Sequence, residues 1–181
     1  MGNVLTLFQM FSRVIFSEAV TFFYGALCLF QKILVPLDGS EHSLKALEEA
    51  AQLAKISSGK ITLLNVYSVQ PLIIPEPSTS GYPGMPILTG AEASRITEAV
   101  RKSGVKILQD GEQRISATKV QVEKMLVEGH TVQEIVRVAN EGNFDLIVIG
   151  ARGISHVKEM FLGSVTDGVI HHAHCAVLVI K

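Results

Sequence analysis

Cysteine is scarce in this chain: two in 181 residues, Cys28 and Cys175. Two cysteines so far apart build no disulfide framework and match no metal-ligand spacing, so a reducing cytoplasm is the default expectation. A basic excess is missing too. Sixteen Lys and Arg stand against 17 Asp and Glu, for a net charge of −1 and a pI near 6.6. A nucleic-acid binder would usually carry a basic excess or stripe, so nucleic acid is not an expected partner. There is no internal repeat and no low-complexity tract. The length suits one domain with an appendage, enough to bury a core without disulfides or metal.

Charge is also scarce at the amino end, where residues 1–30 carry only Arg13 and Glu18. This apolar extension contributes much of the mean hydropathy of +0.35. As a helix, Val14–Phe30 would be about 26 Å long at about 1.5 Å per residue, at the lower limit for a bilayer span. Glu18 would sit near one end, where a charge costs less than at the centre. No small-x-small cleavage site marks a secretory signal. The opening Met-Gly-Asn-Val-Leu-Thr fits only a loose myristoylation pattern. Two readings stay open: a membrane helix, or a misassigned start ahead of a domain at 31–181. Almost no linker separates Phe30 from the first strand, which favours the second.

From Lys32 the pattern alternates strand and helix. Ile33–Leu37, Ile61–Val66, Val120–Val127, Leu146–Ile149 and Ala176–Ile180 read as strands. Helices are expected at about Glu41–Lys55, with Leu44, Leu47, Ala51 and Ala54 on one face, and at about Ala91–Ser116, weakened by Gly104 and Gly111. A third helix begins at a Thr131–Glu134 capping box, and a fourth spans Val165–His172. Residues 67–90 hold five of the six prolines and read as a long loop, of the kind usually functional or mobile. The order β-α-β-α-β-α-β-α-β implies an α/β fold, a doubly wound parallel sheet with helices on both faces. Its ligand site is expected at the strands' carboxyl ends, where strand order reverses.

The chemistry concentrates after the fourth strand. Gly150-Ala-Arg-Gly153 is followed, nine residues later, by Gly163-Ser164 at the start of a helix. Glycines let backbone approach a ligand closely. A helix start offers unpaired N–H groups and a positive dipole end, which together suit phosphate. The first strand ends in Val35-Pro-Leu-Asp-Gly-Ser40. Pro36 suggests a strand end or bulge. Asp38 is either an acceptor for a nucleotide or, with Ser40, a cap for the next helix. The cluster His171, His172 and His174 is poorly disposed for a shared metal, Cys175 reads as a small buried hydrophobe, and no metal site is expected. His130 reads as a loop residue.

Ile-Leu-Val-Pro-Leu-Asp-Gly-Ser near the start, paired with Gly-x2-Gly-x9-Gly-Ser near the end, resembles the universal stress proteins. The resemblance covers about residues 30–181, including the closing His174-Cys-Ala-Val-Leu-Val. It implies a Rossmann-like five-stranded parallel sheet in order 3-2-1-4-5 that binds ATP, often with Mg or Mn. Carried onto this chain, Pro36, Leu37 and Asp38 would meet adenosine, and Val66 would touch adenine. Ile149, Gly150, Arg152 and Gly153 would line ribose and phosphates, with Gly163, Ser164, Val165 and Thr166 on the phosphates. The family commonly forms homodimers through its last strand, here 176–180. Two departures stand out: Ala151, where the family often has Ser or Thr, and Ala176, where it usually has Pro.

The expected function is therefore an ATP-binding regulatory protein of the stress response, cytoplasmic, switching conformation or partner with nucleotide. No catalytic residue is assigned. The chain lacks Gly-x4-Gly-Lys-[Ser/Thr] and the Ser-Gly-Gly-x-Asp-Ser loop of ATP-pyrophosphatases. The alternatives are a slow ATPase or nucleotidyl transferase, and a signalling subunit tethered at the cytoplasmic face of a membrane through residues 1–30.

Overall fold

The computed structural model describes residues 30–68, 90–154 and 162–181. The extension at 1–29 and the greater part of the proline-rich 67–90 segment lie outside the described residues. Five strands, β1 (Lys32–Pro36), β2 (Lys60–Tyr67), β3 (Gln121–Glu128), β4 (Leu146–Gly150) and β5 (Ala176–Ile180), form one sheet in the order β3-β2-β1-β4-β5. Every pairing is parallel, as expected. Four α-helices connect them: α1 (Glu41–Ser57), α2 (Gly90–Ile115), α3 (Thr131–Glu141) and α4 (Ser164–His172).

Alternation along the central strands sorts the core into two halves. Ile33, Val35, Ile61, Leu63, Leu146 and Val148 point to one face and pack with Leu47, Ala50, Ala54, Leu108 and Ile115 of α1 and α2. Leu34, Leu64, Ile147 and Ile149 point to the other, against Ile135, Val138 and Ala139 of α3 and Val169 of α4. Both faces of β1 and β4 are covered, which is why those strands are apolar without a break.

Pro36 closes β1 rather than bulging it. The Leu37 N–H donates to the Leu64 carbonyl on β2 at 2.8 Å, so the preceding nitrogen faces β4. There the β1–β4 ladder runs only through Ile33↔Leu146 and Leu34↔Ile147. The proline falls where no donor is needed.

The helix starting after β3 differs from expectation. Its cap is His130, with no side-chain cap hydrogen bond. The first intrahelical bond runs from the Glu134 N–H to the His130 carbonyl at 2.9 Å. Thr131 is thus already helical, and a capping box needs it one position earlier. Glu134 instead pairs with Arg137 at 2.7 Å. On α2, the buried positions are Gly104, Leu108, Gly111 and Ile115, while the apolar Ile96 is 45% exposed. The glycines mark the contact line. A Cβ on Gly111 would come within 2.7 Å of Leu37 Cδ1, and one on Gly104 would collide with Asn65 Oδ1 and Leu126.

Candidate functional site

The strand order reverses between β1 and β4, because β1 leads to β2 on one side while β4 and β5 lie on the other. At the carboxyl ends of these two strands a cavity of about 240 Å³ opens. All twelve residues singled out from the sequence line it: Pro36, Leu37, Asp38, Val66, Ile149, Gly150, Arg152, Gly153, Gly163, Ser164, Val165 and Thr166.

The loop after β1 is built by two turns of hydrogen bonding. Gly39 takes φ +84°, a backbone state that a side chain disfavours. Ser40 is the cap of α1, its hydroxyl accepting from the Ser43 N–H at 3.2 Å. Capping therefore falls to Ser40, and Asp38 is left for other partners. Its Oδ1 accepts from the Ser40 N–H at 2.9 Å, and its Oδ2 accepts from the Ile154 N–H at 3.2 Å. The carboxylate holds the loop after β4 against the loop after β1.

The three motif glycines have different physical reasons. A Cβ on Gly150 would stand 2.7 Å from the His42 carbonyl carbon, so this glycine lets α1 approach β4. A Cβ on Gly153 would stand 2.6 Å from Asp38 Oδ2. At Gly163 the nearest atoms of the chain are 3.5 Å away, an ordinary contact, and the backbone there is extended. Nothing within the described chain demands glycine at position 163.

Gly163 is also the cap of α4, and among the described residues no side chain caps that helix. Ser164, Val165 and Thr166, at the positive end of the helix dipole, line the cavity. Thr166 is anchored there, its hydroxyl donating to the Gly150 carbonyl at 2.8 Å. Arg152 lines the same cavity, and its guanidinium has no acidic partner among the described residues. Ala151 joins the parts through its main chain. Its N–H donates to the Ile180 carbonyl on β5 at 2.6 Å, and its carbonyl accepts from the Gly163 N–H at 2.8 Å. Its methyl is 2% exposed and lies outside the cavity lining.

Sequence reasoning missed Ser43, Leu64, Thr131, Ile135 and Ile154, which also line the cavity. Leu64 and Ile135 belong to the buried core and form its apolar floor. Thr131 had a usable signal. It lies just past Gly129 and His130 after the carboxyl end of β3, at the same end of the sheet as the motif loops. His130 lines a separate depression with Val132, Val136, Arg137 and His172.

Among the described residues no group of three or more His, Cys, Asp and Glu could hold a metal ion, and no helix is long and apolar enough to cross a membrane. Burial pushes the Cys175 thiol up from its ordinary pKa, and the side chain packs with the apolar cluster under α3 and α4.

A family model described as the universal stress protein family matches residues 29–181. The Bacillus subtilis universal stress protein YxiE is 35% identical over 153 residues, covering 84% of this chain and 100% of that relative. Among solved structures, the universal stress protein UspA from Lactobacillus plantarum superposes with a TM-score of 0.68 at 25% identity, over 84% of this chain and 98% of that one. A universal stress protein solved in complex with cAMP superposes at 0.60 with 26% identity, over the same shares of the two chains. Sheet order, motif loops and sequence relatives agree, and the chain belongs to the universal stress protein family.

Proposed function

We propose that this protein binds an adenine nucleotide, ATP first among them, in the cavity between the carboxyl ends of β1 and β4. The observation that carries the reading is the convergence on one cavity, among the described residues, of a helix start without a side-chain cap, a guanidinium without an acidic partner and an apolar floor. Anionic phosphates suit the first two, and a purine suits the third. A relative of 26% identity solved with cAMP is consistent with an adenine ligand.

In this reading the N–H groups of Ser164, Val165 and Thr166 receive phosphate oxygens, and Arg152 neutralises their charge. Pro36, Leu37, Val66 and Ile149 hold the adenosine, with Gly150, Gly153 and Asp38 shaping the loop around it. Among the described residues Asp38 is the one carboxylate in the cavity lining, and both its oxygens already accept backbone N–H groups. A Mg or Mn ion would therefore be held chiefly by the phosphates and water, as Mg commonly is.

Nucleotide acts here as a regulatory ligand that changes the surface shown to a partner. The second copy of the chain is that partner, through β5. This strand lies at the sheet edge, is apolar throughout, and leaves Leu178 36% exposed. An uncovered apolar edge strand invites pairing with another chain. Calorimetry with ATP, AMP and cAMP, combined with a turnover assay, tests the proposal. Saturable ATP binding with turnover slower than about one per minute, far under the usual enzyme range, supports regulation. Absence of binding refutes the site, and fast hydrolysis would make the protein an ATPase.

A further inference from the structure

The opposite end of the sheet carries a second surface. A depression of about 560 Å³ lies where β1, β2 and β3 begin and α1 ends, and four lysines line it: Lys32, Lys55, Lys60 and Lys119. The acidic groups at this end are already engaged. Glu123 pairs with Lys60 at 3.0 Å. Asp145 accepts from the backbone N–H groups of Gln31 and Lys32, and Glu141 pairs with Arg137. Lys32 donates to the Gly142 carbonyl at 3.1 Å. Lys55 and Lys119 have no acidic partner among the described residues. Beside Lys55, in the last turn of α1, Ile56 is 61% exposed.

We propose that this amino-terminal end of the sheet docks on an anionic lipid bilayer. An exposed aliphatic residue that follows Lys55 at the rim of a lysine-lined depression has the composition of an interfacial membrane contact, with charge for the headgroups and an apolar group for the acyl boundary. A small soluble anion would use the lysines but has no use for Ile56. The backbone N–H groups of Gly59 and Lys60 are also spent, on the Ala54 and Gln31 carbonyls, so these two do not cradle a phosphate. The place where the chain enters the domain fits as well. Phe30 and Gln31 sit on this rim, the Phe30 carbonyl accepting from the Ser57 hydroxyl at 2.8 Å, and the apolar sequence 14–30 precedes them. Docking by this end leaves the cavity at the carboxyl ends of β1 and β4 facing away from the lipid.

Co-sedimentation of the full chain with vesicles tests this. Wild type should prefer vesicles containing phosphatidylglycerol over pure phosphatidylcholine, and should lose that preference at about 1 M salt, where the Debye length falls to about 3 Å. The double variant Lys55→Gln/Lys119→Asn should lower the partition constant on anionic vesicles about thirtyfold, from about 1 kcal/mol per lysine. Its ATP titration should be unchanged, which separates failure here from failure of the nucleotide reading. Equal binding of both proteins to anionic vesicles would overturn the proposal, as would no preference between the two lipids. Ile56→Ser supplies a second check that leaves charge untouched, and wild-type vesicle binding by that variant also counts against the surface. Tight binding of soluble polyphosphate without preference for anionic vesicles would assign the lysines to a soluble anion instead.

Discussion

Asp38 reaches across the site to position 154, its Oδ2 accepting the Ile154 N–H at 3.2 Å while Oδ1 holds Ser40. One side chain thus fixes the relative height of the loops after β1 and β4. Asp38→Ala would leave two backbone donors without their acceptor. It is expected to cost about 1–3 kcal/mol of stability and at least tenfold in nucleotide affinity. Chemical denaturation and calorimetry check both. A loss of stability with unchanged affinity would confine Asp38 to a structural role.

Gly163→Val separates the cavity from the fold. The extended backbone at this position accepts a branched residue, and the nearest atoms leave room for a Cβ. Stability should change by about 1 kcal/mol, the scale of an altered helix cap. Nucleotide binding should vanish, because the isopropyl group would stand over the first N–H groups of α4. Wild-type affinity in the folded variant would remove Gly163 from the site.

Gly104→Ala sets two effects against each other. Alanine raises helix propensity by about 1 kcal/mol. Its methyl would also press on Leu126 and on Asn65, which is buried and donates to the Leu37 carbonyl at 2.7 Å. Overpacking of this kind costs about 1–3 kcal/mol, so the net result should be destabilisation in thermal unfolding. A stabilised variant would mean that α2 shifts away from the sheet at little cost.

These glycines also show where the sequence stops being legible. Strand apolarity, the Gly-x2-Gly-x9-Gly-Ser spacing and the Asp38 loop can be read because each is a local pattern. The buried face of α2 cannot, because at Gly104 and Gly111 burial is achieved by having no side chain. Apolar Ile96, by contrast, is 45% exposed. The cap of α3 failed for a related reason. Thr131 and Glu134 have the right spacing, but His130 already occupies the cap, following the turn at Gly129 with φ +153°. Twelve cavity residues were found through motifs, whereas Leu64 and Ile135 look from sequence like any other core residues.

Leu178→Lys should convert a dimer to a monomer in sedimentation while leaving ATP affinity within a few fold. Leu178 is the suitable position on β5, since Ile180 packs against the core under α1 and α2 and would unsettle the fold if charged. A wild-type protein that is monomeric at the outset would refute pairing through β5.

Cys175 should react slowly with thiol reagents. Burial raises its pKa, with a smaller contribution from the charge of Asp145, so less thiolate is present at any pH near neutrality. In a Cys28→Ser background, its rate at pH 8 should fall below that of a free cysteine and recover on unfolding. A rate above the free value would point to an activated, redox-sensing thiol.

Ala151 spends its N–H on the Ile180 carbonyl of the edge strand and its carbonyl on the Gly163 N–H at the head of α4. The two peptide units that flank one residue therefore tie the sheet's outer border to the turn at the head of α4. Occupancy at one place and pairing at the other cannot be independent if either shifts that residue. By reciprocity of binding free energies, whatever factor the nucleotide imposes on self-association, self-association imposes on the nucleotide. A signal written as ligand concentration would then be read out as stoichiometry, with a methyl-bearing residue, not a catalytic one, as the point of exchange.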